Sequence, residues 1–247
     1  MARQKSSFPI VGTIDGINYY FSKGKKLARK AGGGFNGETI RKSMRMARVR
    51  ENASEFGHCS RVNKEFRRAL MAFAPDHSIK YLHRRLMTLF NNIKKLDDTS
   101  ERGHRRVYMG MENPFAMDYF KGYSFTPECN VYTHLPYHIS FHAKTASLKL
   151  TRVEQLEPTF ITGATYLQIQ YGVLEFDFET YESVRHLCPP VLLKEDNIPA
   201  VLDFTLDTEI EGVGVLFPLL RICYVQEING RLYPFKSANS VGLGVVL

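Results

Sequence analysis

Three histidines recur every four residues, at His134, His138 and His142, and on a helix that spacing would align them as metal ligands. Pro136 stands between the first two, and the surrounding residues are strand formers. On a strand the even spacing keeps them on one face but separates the outer pair by more than about 20 Å, at about 3.3 Å per residue. One ion cannot bridge that span, so no metal site is expected. His58, Cys59 and Ser60 set a base beside two potential nucleophiles, yet adjacent helical residues point in different directions. The glycine-rich segment from Ala31 to Gly37 lacks the Lys and Ser/Thr that complete a phosphate loop, and no buried strand precedes it. The Asp and Glu residues of the second half are spread along strands without forming a pair. This inventory predicts no enzyme, no cofactor and no small-molecule substrate.

What remains is cations and aromatic rings. Tyr19, Tyr20 and Phe21 run directly into Lys23, Lys25, Lys26, Arg29 and Lys30. Such a segment can stack bases and contact phosphates, or insert its rings into a partner surface. A second set of cations follows at Arg41 and Arg45, then at Arg61, Lys64, Arg67, Arg68, Lys80, Arg84, Arg85, Lys94 and Lys95.

Two helical patterns carry most of that second set. Phe56, Cys59, Phe66, Leu70 and Phe73 recur at steps of three and four, with Val62 and Ala69 beside them, which predicts one apolar stripe on a helix. Gly57 inside it costs about 1 kcal/mol against Ala, and Pro75 ends the run. Asp76 or Ser78 is the expected N-cap of a second helix. Its seam is Ile79, Leu82, Leu86, Leu89, Ile93 and Leu96. A connection this short predicts an antiparallel helical hairpin with the cations on its outer faces.

Ahead of it, residues 1–37 read as an arm. Val11–Phe21 forms a hairpin punctuated by Gly12 and Gly16, the basic cluster follows, and Gly32, Gly33 and Gly34 close the segment. Beyond it, strands are expected at Tyr137–Phe141, Leu148–Val153, Ala164–Phe178, Val201–Leu206, Val213–Ile228, Arg231–Phe235 and Val241–Leu247. Asn229-Gly230 is the strongest hairpin signal among them. The resulting fold class is α+β: an N-terminal β-hairpin arm (1–37), a basic helical region (38–107) and an antiparallel β-sandwich (108–247).

The 247 residues can bury a substantial core. No apolar run approaches the roughly 18 residues a membrane helix needs, and no apolar segment follows the basic start as a secretory leader would require. Cys59, Cys129, Cys188 and Cys223 are widely spaced, which suits reduced thiols in a cytoplasmic protein. Charge is the most informative quantity. Residues 1–107 hold 24 Lys+Arg against 9 Asp+Glu, a net +15, whereas residues 108–247 hold 9 against 16, a net −7. A basic half can bind nucleic acid, or it can dock onto the acidic half of another copy.

Several segments resemble an uncharacterised family of roughly 250-residue proteins from Bacteroidetes bacteria. The opening MARQK and the stretch GTIDGINYYFSKGKKLARKAGG are similar to that family's N-terminal signature. RVRENASEFG (48–57), DTSERGHRRV (98–107), GATYL (163–167) and CYVQEINGRLYPFK (223–236) resemble further segments of it. Asp15-Gly16 stands where family members often have a Gly-Gly pair. The resemblance implies the same three-part architecture and a bacterial cytoplasmic setting, with no activity or site residue to carry over. The expected function is a self-assembling structural subunit of a filament, tubule or shell-like particle, a homo-oligomer or polymer with no membrane partner. The alternative is a DNA- or RNA-binding protein using the arm and the basic helical face.

Overall fold

The structure, a computed structural model, describes residues 2–5, 8–32, 36–75, 77–154, 156–206 and 210–247. The chain is mixed α and β and divides into two compact units, Met1–Ser54 and Glu55–Leu247. Gly33, Gly34 and Asp76, singled out above, lie outside the described residues.

The first unit is built on a four-stranded antiparallel sheet of β1 (Ala2–Arg3), β2 (Gly12–Ile14), β3 (Ile17–Ser22) and β4 (Lys25–Lys30), ordered β1-β4-β3-β2. Two-residue turns join β2 to β3 and β3 to β4. Asp15 and Gly16 have φ of 47° and 73°, and Lys23 and Gly24 have 49° and 71°. Positive φ at both central positions matches the turn to the strand twist. The hairpin expected over Val11–Phe21 is therefore part of a larger sheet, and the basic cluster after it supplies β4. Helix α1 (Gly37–Lys42) follows, with the Asn36 side chain accepting the Thr39 N–H as its N-cap. No described residue of this unit is buried.

Helix α2 (Ala47–Met71) contains the boundary between the units. From Cys59 onward its inner stripe is the expected one: Cys59, Val62, Phe66, Ala69 and Leu70 are buried. The first turn of the stripe differs. Phe56 is 57 % exposed and Glu55 takes the buried position. Helix α3 (Leu82–Ile93) starts four residues later than Ser78, after Tyr81 in a left-handed conformation (φ 55°), and ends in a 3-10 turn at Lys94–Leu96. Cys59 meets Phe90, Asn63 meets His83 and Glu55 meets Lys94. Residue numbers thus rise on one helix as they fall on the other, so the pair is antiparallel.

Short helices α4 (Val107–Met111) and α5 (Val131–His134) lead into two antiparallel sheets. The smaller joins β5 (Tyr137–His142) and β6 (Ser147–Arg152) to β10 (Val201–Phe204). The larger centres on β7 (Tyr166–Phe176) and β11 (Val215–Ile228), paired along eleven positions. Strands β8 (Ser183–Leu187) and β9 (Val191–Leu193) flank β7, while β12 (Arg231–Pro234) and β13 (Val241–Val245) flank β11.

Alternation along β7 serves both faces of this sheet. Leu167, Ile169, Tyr171 and Val173 pack with Leu148, Leu150, Leu202 and Phe204 of the smaller sheet. Leu174 and Phe176 pack instead with the helices. Phe66 stands at the centre of the helical side, with ring centroids of Phe90, Phe176 and Phe217 at 5.2 to 5.4 Å. Among the described residues no helix is long and apolar enough to cross a membrane.

Two glycines separate packing from propensity. A Cβ on Gly110 would overlap the Ile93 carbonyl where α4 crosses the end of α3, whereas Gly57 on α2 has open space around it. Gly110→Ala is expected to lower stability by about 1–3 kcal/mol. Gly57→Ala is expected to raise it by roughly 1 kcal/mol. Urea unfolding of the two variants checks both signs.

Candidate functional site

The cations and rings of the first unit are sorted by the sheet. Opposed residues of an antiparallel pair share a face and neighbours along a strand alternate. Tyr20 pairs with Leu27, while Asn18 pairs with Arg29 and Ser22 with Lys25. One face therefore carries Tyr20 among Arg3, Lys25 and Arg29, and the Arg29 guanidinium lies 5.3 Å from the Tyr20 ring centre. The other face carries Ile14, Ile17, Tyr19 and Phe21, with Lys26 opposite Phe21 and Lys30 opposite Ile17. Tyr19, Tyr20 and Phe21 thus do not act as one cluster, because Tyr20 faces away from the other two. A shallow cavity of about 750 Å³ opens beside Ile17, Tyr19 and Ala28. Phe21 is 49 % and Ile17 40 % exposed. Lys23, Lys25, Arg29 and Lys30 are exposed, as are Arg41 and Arg45 after the sheet.

On the helices the cations divide differently. Arg61, Lys64, Arg68 and Arg84 are exposed, with Lys80 and Lys95 in flanking turns, and Arg67 is half-buried. Arg68 pairs with Glu65 at 2.6 Å. Two residues expected on the outside are not there. Arg85 is half-buried, and its guanidinium donates to the Ser124 carbonyl at 3.0 Å and to that of Phe125. Lys94 is 7 % exposed and donates to Glu55 at 2.6 Å. The acceptors lie about forty residues away in sequence, where no local pattern can signal them.

Around that ion pair is a polar joint. Glu55 also accepts the Gly103 N–H at 2.8 Å, and His58 Nε2 accepts the Val107 N–H at 3.0 Å. Asp97 accepts from the Thr99, Ser100 and Arg106 backbone amides. Glu55 and His58 pin the loop 98–107 to α2, and Asp97 ties it to the end of α3.

Burial alone would raise Glu55, but the Lys94 hydrogen bond, the Gly103 amide and the charges of Lys94 and Arg105 hold its carboxyl below the usual range. Burial also opposes ionisation of Asp97, and its amide and hydroxyl donors overcome it in the same direction. His58 is held down at about 4 by burial and by the charges of Arg106, Arg61 and Lys94. It serves as a neutral acceptor among cations.

The other chemistry-bearing residues do not converge. Cys59 donates to the Phe90 carbonyl, and burial pushes its thiol up to about 11, while His58 turns to Val107. His134 ends α5 and bonds the Tyr224 hydroxyl at 2.9 Å, whereas His138 and His142 are exposed on β5. Sequence reasoning missed Glu55, His58 and Asp97 as a network. The only sequence signal for it is a Glu at a core position of the α2 repeat.

The joint makes stability depend on pH. A histidine with a lowered folded pKa resists protonation in the native state. Its contribution is complete above the unfolded value of about 6.5 and is lost as pH falls toward about 4. Glu55 and Asp97, also lowered, add stability above the ordinary carboxylate range that disappears at still lower pH. Urea unfolding between pH 4 and 8 is expected to show the upper loss, and His58→Gln, which keeps a side-chain acceptor, is expected to flatten it. Glu55→Leu alone should cost about 3–5 kcal/mol by leaving Lys94 buried and unpaired, and adding Lys94→Met should recover part of that, the Gly103 N–H remaining without its acceptor.

No protein-family model, no curated protein and no solved structure matches this chain, so the functional reading rests on its own residues.

Proposed function

We propose that this protein is a structural subunit of a homo-oligomer or polymer, in which the first unit of one copy seats on a second copy. The observation that carries the reading is a four-stranded sheet with no buried residue among those described. Three or more strands become stable when an apolar face is covered. Here Ile10, Val11, Ile14, Ile17 and Phe21 are all 40 % or more exposed. The unit also holds 12 Lys+Arg against 3 Asp+Glu, a net +9, while residues 55–247 hold 21 against 22, a net −1. Two such units repel one another, so the preferred cover is an acidic surface. On this reading Glu55–Leu247 is the body, its two sheets acting as a β-sandwich, and the first unit is the docking arm. Its role is structural rather than catalytic, in the cytoplasmic setting that the family resemblance implies. A contact between unlike surfaces repeats from copy to copy and builds a ring or a filament.

A second reading has its own observation. Tyr20, ringed by Arg3, Lys25 and Arg29, is a stacking platform with phosphate-binding cations around it. It supports binding of single-stranded DNA or RNA, which an assembly could also package.

Sedimentation velocity across protein concentration and salt, with the 260/280 nm absorbance ratio of the native material, tests both. The assembly reading expects species larger than a monomer that shrink as salt rises. Ile17→Ser/Phe21→Ser should weaken association by about 10–100-fold, because the two side chains, 40 % and 49 % exposed, together add roughly one large apolar side chain of burial to an interface. A monomer under all conditions, with a protein-like absorbance ratio, would refute both readings.

A further inference from the structure

Within Glu55–Leu247, cavities of about 410 and 310 Å³ share Asp177, Val213 and Gly214, where β7 ends and β8 and β11 start. They open on opposite faces of the large sheet, the first past Glu175 and His186, the second past Phe176 and Phe178. Among the described residues the two together are lined by six carboxylates, Glu112, Glu175, Asp177, Glu179, Glu182 and Glu211, and by no Lys or Arg. Tyr108, Met111 and Phe178 make the second an apolar-floored groove. Val213 at its edge is 97 % exposed and Val184 51 %. Glu175 is buried, accepting the Gly214 N–H at 2.9 Å with His186 Nε2 3.8 Å away. Glu179 and Glu182 remain exposed at the rim.

We infer that this groove is the seat for the first unit of a second copy, specifically for the sheet face that carries Phe21. This rests on the assembly reading above and names its two surfaces. The match is chemical on both counts. That face sets Tyr19 and Phe21 beside Lys26 and Lys30, so rings would meet the apolar floor and ammonium groups the acidic rim. Phe21 is 49 % exposed and stands next to the turn Lys23-Gly24, at an end of its hairpin. Nucleic acid, the other polyelectrolyte considered, is repelled by six carboxylates. Rim charges of this kind act over about 10 Å at 0.1 M salt, so the contact is salt-sensitive.

Charge reversal on each surface, followed by mixing, tests the pairing. Glu179→Lys/Glu182→Lys changes exposed rim side chains, and Lys26→Glu/Lys30→Glu changes the opposing face. Each full-length variant alone is expected to sediment as a monomer at concentrations where the wild type associates, with affinity lowered at least about 10-fold. The equimolar mixture is expected to regain association, because each variant now supplies the complement of the other. Association of Glu179→Lys/Glu182→Lys equal to wild type would overturn the groove while leaving the assembly reading standing. So would a mixture in which both variants stay monomeric, since the groove would then take something other than this unit. A wild type that never associates at low salt would remove the assembly reading itself. Circular dichroism and urea unfolding of both variants confirm that the fold is retained.

Discussion

Phe66 sets the terms for the rest of the molecule. Its ring lies between those of Phe90 on α3, Phe176 on β7 and Phe217 on β11, with Phe120, Phe125 and Phe178 around them. Aromatic rings at these separations and tilts add to ordinary apolar burial. The helical pair and the wide sheet consequently have one core between them and belong to one body. That removes the simplest meaning of the charge split at residue 107. The basic helices and the acidic strands lie in the same compact unit, which is nearly neutral overall, and the excess of positive charge falls in the first 54 residues.

The consequence for function is a contrast between two units. Glu55–Leu247 has a buried apolar core against each face of its large sheet, and its buried Glu55 and Asp97 are answered, the first by Lys94 and the second by backbone amides. Met1–Ser54 has a well-formed hydrogen-bonded sheet, two tight turns and a capped helix, yet no buried residue among those described. Local chemistry builds such a unit, and its exposed apolar groups are what the proposed partner would cover. The assembly proposal rests on that asymmetry and on the sign of the unit's charge.

Much of the fold was legible where local pattern and tertiary environment agree. Asn229-Gly230 turns β11 into β12, with φ of 51° and 74° at its centre, and the even residues of 148–150 and 202–204 face the core as alternation predicts. Strands β8 and β9 were missed because they are short, mostly exposed edges of β7 with no alternation to read. Lys25–Lys30 was legible as charge and not as a strand, since its pairing depends on a Lys-Gly turn that is not a strong hairpin signal. Phe56 and Glu55 exchanged places for a long-range reason. The loop 98–107 offers the Gly103 N–H at that turn of α2, and only an acceptor can use it. Arg85 and Lys94 were drawn inward by carbonyls and a carboxylate distant in sequence. The two cavities left even less trace, because their six acids come from three separate stretches of chain.

Amide hydrogen exchange in β3 and β4 reports whether that sheet gains cover when copies meet. Fast exchange is expected across residues 17–30 in dilute protein at high salt, with marked slowing in concentrated protein at low salt. Exchange at these amides that is the same in both conditions, while the protein nonetheless associates, would contradict it.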